Sequence, residues 1–150
     1  MYCFDTDVLS ATMRRNPPLA LVRRLAALPA AQQHTTAITA GELLYGVART
    51  PRKDLVGHVR SLLESAITVL PFDSAAASAY ADLRVRLEGA GRPLDDPDLR
   101  IASIALARDL TLVTGNGRHF ERIPGLRVEN WLAGEPGGRV DQPASPSTPS

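Results

Sequence analysis

The sequence predicts an α/β domain with a mainly parallel central sheet and helices on both faces. Short apolar runs, of the length expected for buried strands, alternate with segments whose apolar residues recur at helical spacing. This alternation is typical of parallel strands connected by helices. The chain has 150 residues, of which 44% are hydrophobic, and this is enough for one domain with a substantial core.

Five apolar runs are predicted to be strands. In chain order they are residues 2–4, 35–38, 67–70, 110–114 and 127–129. The last run precedes Trp131, which we expect to pack over one end of the core.

The segments between these runs carry helix signals. Proline is accepted in a first helical turn, Asp is a good N-cap, and glycine ends helices. The first three predicted helices cover residues 8–14, run from around 16–18 to near 28, and begin at 39 or 40. The next is an amphipathic helix over 55–63. The last two run from the Asp73 cap to the Gly89-Ala90-Gly91 stop and from 97 to 106.

The composition changes near Ala133. From there to Ser150 the chain is rich in Gly, Pro and Ser, ends in PASPSTPS, and has Val140 as its one large aliphatic residue. Such a segment cannot bury enough apolar area to offset the entropy of ordering it. We therefore predict a folded domain over residues 1–132 and a disordered tail over 133–150.

Composition also bears on the compartment and on the partners. Cys3 is the single cysteine, so no internal disulfide can form, and we expect a reducing, cytoplasmic location with no membrane segment. The net charge of +1 indicates no strong overall attraction to nucleic acid. Of the 17 basic residues all but Lys53 are Arg. Arg suits phosphate recognition, but a GC-rich genome that encodes Arg throughout is the better explanation of this bias.

Four polar residues fall where a predicted strand has just ended or a helix has just begun: Asp5, Glu42, Asp98 and Asn116. In a parallel sheet these positions meet at one edge, where α/β proteins bind ligands. Three carboxylates in one place repel each other, and a divalent cation removes that repulsion. Oxygen ligands of this kind suit Mg²⁺ or Mn²⁺.

Each of the four residues also has a purely structural interpretation. Asp5 is a suitable N-cap for the helix that follows it. Thr39 and Glu42 fit a capping box, Asp98 sits where a helix dipole favours any carboxylate, and Asn116 lies between two glycines as in an ordinary turn. The three histidines, His34, His58 and His119, are scattered and do not have zinc-ligand spacing, so we do not expect them to bind a metal.

Five segments resemble, in order, motifs of the PIN-domain family, and in particular the VapC-type toxin ribonucleases of toxin–antitoxin pairs. They are FDTDVLS at 4–10, ITAGELLYG at 38–46, PDLRIAS at 97–103, LVTGNGRHF at 112–120 and PGLRVENW at 124–131. The resemblance implies a PIN-like three-layer sandwich. Two positions depart from the family pattern: Asp7 stands where Asn is usual, and Asn116 stands at the fourth acidic position, which leaves a second metal ion open.

The resemblance also implies the chemistry. It indicates an endoribonuclease that hydrolyses RNA phosphodiester bonds with Mg²⁺, for which Mn²⁺ can substitute. Asp5 and Asp98 would hold the metal, and Glu42 would position or deprotonate the attacking water. Thr6 and Thr114 are placed either to hydrogen-bond these carboxylates or to satisfy local backbone groups.

Two protein partners follow from the same resemblance, a cognate antitoxin and a second copy of the chain in a homodimer. The antitoxin would lie in a groove near the active site, with the helices over residues 8–14 and 19–28 as its walls. Arginines close in sequence to the site are candidate contacts for RNA phosphates: Arg14, Arg15, Arg92, Arg100 and Arg118.

Two other functions fit parts of the sequence. A haloacid-dehalogenase-like phosphatase would use Asp5 as nucleophile and Asp7 as general acid, but it needs a lysine near the phosphate, and Lys53 stands at an apparent helix start. A non-catalytic PIN-like module would bind RNA or protein, but clustered carboxylates without a metal destabilise a fold.

Overall fold

A computed structural model describes residues 1–132, which form a five-stranded sheet in the order β3-β2-β1-β4-β5. Every neighbouring pair of strands is parallel, which confirms the predicted sheet. The strands are β1 (Tyr2–Phe4), β2 (Gln33–Thr36), β3 (Thr68–Leu70), β4 (Thr111–Val113) and β5 (Val128–Glu129). The predicted tail over 133–150 lies outside the described residues.

Six of the seven α-helices in residues 1–132 follow the predicted order, and the short helix over Gly117–Phe120 was not predicted. The seven are α1 (Thr6–Thr12), α2 (Leu19–Ala27), α3 (Ala37–Ala48), α4 (Lys53–Ser61), α5 (Ser74–Gly89), α6 (Asp96–Ala107) and α7 (Gly117–Phe120). A 3₁₀ turn over Ala30–Gln32 precedes β2, and a π-helical turn over Leu62–Ala66 extends α4.

Alternation along the central strands separates two apolar cores. Cys3 and Leu112 face the core that α5 and α6 cover, whereas Phe4 and Val113 face the core that α1 to α4 cover. Successive side chains of a strand point to opposite faces of the sheet, so neighbours in β1 and in β4 are divided between the two cores. The result is the predicted three-layer arrangement.

The boundary between β2 and α3 differs from the prediction. The strand was expected over 35–38 and the helix from 39 or 40, but β2 ends at Thr36 and α3 begins at Ala37. The Thr36 hydroxyl accepts the Thr39 N–H at 3.0 Å, so Thr36 is the cap, and the predicted capping box between Thr39 and Glu42 is wrong. The apolar run therefore spans the end of a strand and the first turn of a helix.

Two buried residues behave as predicted. Trp131 packs edge-on against Tyr2 and Phe4, with ring centroids 4.9 and 5.3 Å apart, and closes one end of the core. Cys3 is fully buried, and burial together with the charge of Asp5 raises the pKa of its thiol to about 12, so it packs as a small hydrophobe. Within residues 1–132, no helix has the length and apolarity needed to cross a membrane.

Candidate active site

The candidate site lies where the sheet changes its direction of growth. From β1 the chain goes to β2 and β3 on one side, and then crosses to β4 and β5 on the other. The carboxyl ends of β1 and β4 are neighbours at this point, with Phe4 opposite Val113. This is the position at which open α/β sheets form binding sites.

Asp5 follows β1 and is the central carboxylate of the site. Its N–H donates to Val113 O at 2.9 Å, its Oδ1 accepts the Thr6 N–H at 2.8 Å, and its Oδ2 accepts the Thr114 hydroxyl at 2.8 Å. The residue is 7% exposed, and burial raises its pKa to about 6, helped by the negative charges of Asp7 and Asp98 and opposed by the two hydrogen bonds. Asp5 is thus both the N-cap of α1 and a buried carboxyl among other acids.

Thr114 connects Asp5 to the turn after β4. While its hydroxyl donates to Asp5, the same oxygen accepts the Asn116 N–H at 3.0 Å. Asn116 is exposed and occupies the N-cap position of α7, but its side chain makes no capping bond. Its amide Nδ2 lies instead 3.3 Å from His119 Nδ1. One buried hydroxyl therefore fixes the position of the turn relative to Asp5.

Glu42 reaches the site from α3. The residue is exposed, and its Oε1 accepts the Thr6 hydroxyl at 2.9 Å. Because Thr6 is the first residue of α1 and follows Asp5, this bond joins the start of α1 to the middle of α3 beside Asp5. Both threonines thus hydrogen-bond site carboxylates, as the sequence allowed.

Asp98 lies in the first turn of α6 and contacts His119, a residue that we did not expect at the site. Its Oδ2 is 3.4 Å from His119 Nδ1, and the Asp98 side chain is 25% exposed. His119 was missed because it lies on a helix of only four residues directly after a Gly-Asn-Gly turn, where no periodic signal marks its direction. Its spacing of three residues from Asn116 was the one available hint.

Asp7 holds the turn after β4 from the opposite side. Its Oδ2 accepts the Gly115 N–H at 2.8 Å, while its Oδ1 is buried and has no hydrogen-bond partner within residues 1–132. A Cβ at Gly115 would lie 2.6 Å from Asp7 Oδ2 and 2.8 Å from Leu132 Cδ1, so any other residue there would displace these side chains. Burial, as the largest cause, raises the pKa of Asp7.

These residues fit a hard divalent cation. In the described part of the chain, no three His, Cys, Asp or Glu side chains are close enough to share one metal ion. Mg²⁺, however, is commonly bound through one or two carboxylates and keeps several waters. The negative charges of Asp7 and Asp98 raise the pKa of Asp5 beyond the effect of burial, and Asp7 Oδ1 is buried with no hydrogen-bond partner among the residues that the structure describes. The site therefore has excess negative charge that a cation would offset.

The arginines near the site differ in their availability. Arg100 is engaged by Asp96, with 2.6 Å between its Nε and Oδ2, and stacks near the ring of Phe72. Arg118 is exposed on α7, next to His119. Of the five predicted phosphate contacts, Arg118 is therefore the one carried by the same short helix as a residue of the site.

Comparison with known proteins identifies the family to which the chain belongs. The PIN domain family model matches residues 2–126. The chain is 36% identical over 130 residues to a protein of Shigella flexneri named tRNA(fMet)-specific endonuclease VapC. The aligned region covers 87% of this chain and 97% of that relative. The chain is also 33% identical over 134 residues to Ribonuclease VapC2 of Rickettsia felis, and the aligned region covers 87% of this chain and 98% of that protein.

A solved structure shows the same fold. The crystal structure of VapBC2 from Rickettsia felis, bound to a DNA fragment from their promoter, matches with a TM-score of 0.77 and 31% identity over 87% of this chain and 98% of that one. These matches exclude the phosphatase alternative, whose required lysine, Lys53, begins α4 and does not follow a strand. The chain belongs to the PIN-domain family, and within it to the VapC-type toxin ribonucleases.

Proposed function

We propose that this ribonuclease cuts RNA within the strand at the site formed by Asp5, Glu42, Asp98 and Asn116, with Mg²⁺ as cofactor and Mn²⁺ as substitute. The observation that carries the proposal is the buried carboxyl of Asp5, whose pKa is raised to about 6 next to further acids at the switch point of the sheet. A buried carboxylate among other acids destabilises the fold, and groups with such perturbed pKa values are concentrated at functional sites.

The side chains have distinct roles in this proposal. Asp5 and Asp98 would hold the cation, which when bound lowers the pKa of water and offsets the charge that develops on the phosphoryl group. Thr114 and Thr6 orient Asp5 and Glu42 through their hydroxyls. The exposed Glu42 carboxylate, held by Thr6 through Oε1, would accept a proton from the attacking water or orient it. The neutral amide of Asn116 adds a hydrogen-bond donor for the phosphate without adding negative charge.

Transfer RNA is the substrate class that we propose. A relative with 36% identity along nearly its whole length is named tRNA(fMet)-specific endonuclease. Arg118, exposed on α7, would neutralise a phosphate near the acidic residues, which by themselves repel RNA. Such a substrate places the protein in the cytoplasm.

An antitoxin would cover an apolar groove on the α1–α4 side. The groove has a volume of about 420 Å³ and is lined by α1, α2 and the segment between α4 and β3; its apolar residues include Leu9, Val22, Leu25, Leu62 and Ile67. Val22 and the neighbouring Leu19 are 37% and 52% exposed. An apolar helix of the antitoxin fits such a groove.

We also propose a homodimer, which sedimentation of the protein freed of antitoxin would detect.

The proposal is tested by cleavage of tRNA by the full chain, purified and separated from its antitoxin. We expect cleavage with Mg²⁺ or Mn²⁺ and none with EDTA, and restored cleavage when Mg²⁺ is added back in excess. Expression without antitoxin should arrest bacterial growth, and Asp98→Asn should relieve the arrest. Cleavage that continues in EDTA would contradict the proposed cofactor, and no cleavage of any RNA under these conditions would contradict the proposed function.

A further inference from the structure

Tyr80 lies where α5 packs against the start of α6, and none of the roles assigned above uses it. Asp96, the first residue of α6, accepts hydrogen bonds at both of its carboxylate oxygens. Its Oδ1 accepts the Tyr80 hydroxyl, and its Oδ2 accepts Arg100 Nε at 2.6 Å. Because Tyr80 belongs to α5, the first bond joins two helices, whereas the second joins successive turns of α6. The start of α6 is therefore held from two directions.

Tyr80 is itself fixed by its neighbours. Arg84 Nη1 donates to the Tyr80 hydroxyl oxygen at 2.8 Å, and the hydroxyl proton is donated to Asp96. The Tyr80 ring packs edge-on against Phe72, with ring centroids 5.8 Å apart, and both rings pack against the core that α5 and α6 cover. The Arg100 guanidinium lies 5.5 Å from the Phe72 centroid and 5.7 Å from the Tyr80 centroid. The hydroxyl thus has a defined position and direction.

The first turn of α6 lacks the usual restraint at its beginning. Asp95 occupies the N-cap position, but its side chain makes no capping hydrogen bond, although Asp is among the residues that most often do so. Pro97 follows Asp96, and proline has no N–H to donate. Helix ends fray where their free backbone groups are not held. The bonds of Asp96 therefore supply the restraint that the N-cap side chain does not.

These bonds contribute little to the stability of the fold. The side chains of Asp96 and Arg100 are 48% and 43% exposed, and ion pairs at such positions add little free energy of folding. The two helices already meet through buried apolar residues, among them Leu83 on α5 and Leu99 on α6. The bonds instead fix the geometry of the first turn, and Asp98 lies in that turn two positions after Asp96.

We propose that Tyr80 positions Asp98 for cation binding by holding Asp96 in place. The inference rests on the proposed function, because it takes Asp98 to be a ligand of the cation. A ligand must be held within about 0.5 Å of its productive position, and replacing a residue that supports a metal ligand typically costs about 10–100-fold in metal affinity or activity. Arg100, which the sequence offered as a phosphate contact, acts in the same way through Asp96. Loss of the Tyr80 hydroxyl should therefore weaken cation binding and leave RNA binding unchanged.

The test compares the wild-type full chain, freed of antitoxin, with Tyr80→Phe, which removes the hydroxyl and keeps the ring. The rate of tRNA cleavage is measured against Mg²⁺ concentration. The Kd of Mn²⁺ is measured without RNA, from the electron paramagnetic resonance signal of the free ion, and the Kd of tRNA is measured in EDTA. Tyr2→Phe is the matched control, since Tyr2 lies at the start of β1 and its ring packs against Trp131. Asp96→Ala and the double variant complete a cycle that shows whether Tyr80 acts through Asp96.

We expect the Mg²⁺ concentration for half-maximal cleavage and the Kd of Mn²⁺ to rise about tenfold in Tyr80→Phe and to stay within about twofold in Tyr2→Phe. The Kd of tRNA in EDTA should change by less than about twofold, because no phosphate contact is removed. Tm in EDTA should change by less than about 4 °C, because the exposed ion pair contributes little to folding. Asp96→Ala should weaken cation binding at least as much as Tyr80→Phe, and the double variant no more than Asp96→Ala alone.

Four results would overturn the inference. If Asp98→Asn abolishes cleavage but Tyr80→Phe leaves the Mg²⁺ dependence unchanged, Tyr80 has no positioning role and the proposed function stands. A Tyr80→Phe protein with a much lower Tm and an unchanged Kd of Mn²⁺ would show that Tyr80 only supports the fold. An effect of Tyr80→Phe that persists in full in the Asp96→Ala background would show that Tyr80 does not act through Asp96. A wild-type protein without Mg²⁺-dependent cleavage would overturn the inference together with the proposed function.

Discussion

Replacing Asp5 by Asn is expected to stabilise the metal-free protein at neutral pH, although it removes a residue of the proposed site. Asp5 is 7% exposed, and burial with the nearby acids raises its pKa from an ordinary 3.8 to about 6. A pKa unit corresponds to about 1.4 kcal/mol, so the ionised carboxyl destabilises the folded state by at most about 3 kcal/mol. The Asn side chain carries no such charge.

Part of this gain is offset by a changed hydrogen bond. Asn keeps an oxygen that can accept the Thr6 N–H, but an amide nitrogen replaces the Oδ2 that accepts the Thr114 hydroxyl. The loss of one such bond costs about 1 kcal/mol. We therefore expect a net stabilisation of roughly 1–2 kcal/mol, which for a domain of this size is roughly 3–6 °C in Tm.

The pH dependence supplies a second signature. Since the pKa of Asp5 is higher in the folded state, its contribution favours folding below about pH 4 and is lost as the pH rises toward 6. The gain from Asp5→Asn should thus be largest at pH 7.5 and shrink toward pH 4.5. Thermal unfolding in EDTA at both pH values measures it, with Asp82→Asn, an exposed carboxylate on α5, as the control. A variant less stable than the wild type at pH 7.5, or a gain that does not depend on pH, would refute this reasoning.

Three further substitutions test the supports of the site. Gly115→Ala should cost about 1–3 kcal/mol in urea unfolding, because its Cβ would lie 2.6 Å from Asp7 Oδ2. As the control, Gly46→Ala in α3, where a Cβ meets nothing within 4 Å, should stabilise the protein by about 0.5–1 kcal/mol. Equal changes in the free energy of unfolding for the two variants would contradict the close approach of Asp7 to Gly115. Asp7→Asn should keep RNA cleavage within about tenfold, or ~1.4 kcal/mol, because an amide oxygen can still accept the Gly115 N–H; a thousandfold loss at saturating Mg²⁺ would mean that Asp7 takes part in the chemistry. Thr6→Val should slow cleavage roughly tenfold with little change in Tm, because it removes the hydroxyl that holds Glu42; an unchanged rate would show that this bond does not orient Glu42.

The sequence predicted the sheet and the edge at which the candidate site residues gather, because strands and helices have different periods. It could not decide between the structural and functional interpretations of Asp5, and both are compatible with the structure, since this carboxylate caps α1 and also lies among other acids. The end of β2 was misplaced because Thr36 caps α3, and a local hydrogen bond of this kind leaves no trace in an apolar run.

Contacts between distant segments were the part that the sequence could not supply. The bond from Gly115 to Asp7 joins residues 108 positions apart, and the bond from Thr114 to Asp5 joins residues 109 apart. Which strands are neighbours decides such contacts, and the pattern of one chain does not contain that order. The sequence could not indicate the contact of His119 with Asp98 for the same reason, because it depends on the fold that brings these two residues together.

The central claim is that the acidic residues after β1, on α3 and at the start of α6 carry RNA cleavage, namely Asp5, Glu42 and Asp98. Its most direct test compares cleavage of tRNA by the wild-type protein and Asp98→Asn at saturating Mg²⁺. Asp95→Asn serves as control, since Asp95 is exposed three residues away and its side chain makes no capping bond. We expect Asp98→Asn to lose at least about a thousandfold in rate, about 4 kcal/mol of transition-state stabilisation, and Asp95→Asn to stay within about threefold. A folded Asp98→Asn protein that cleaves at the wild-type rate would contradict the claim.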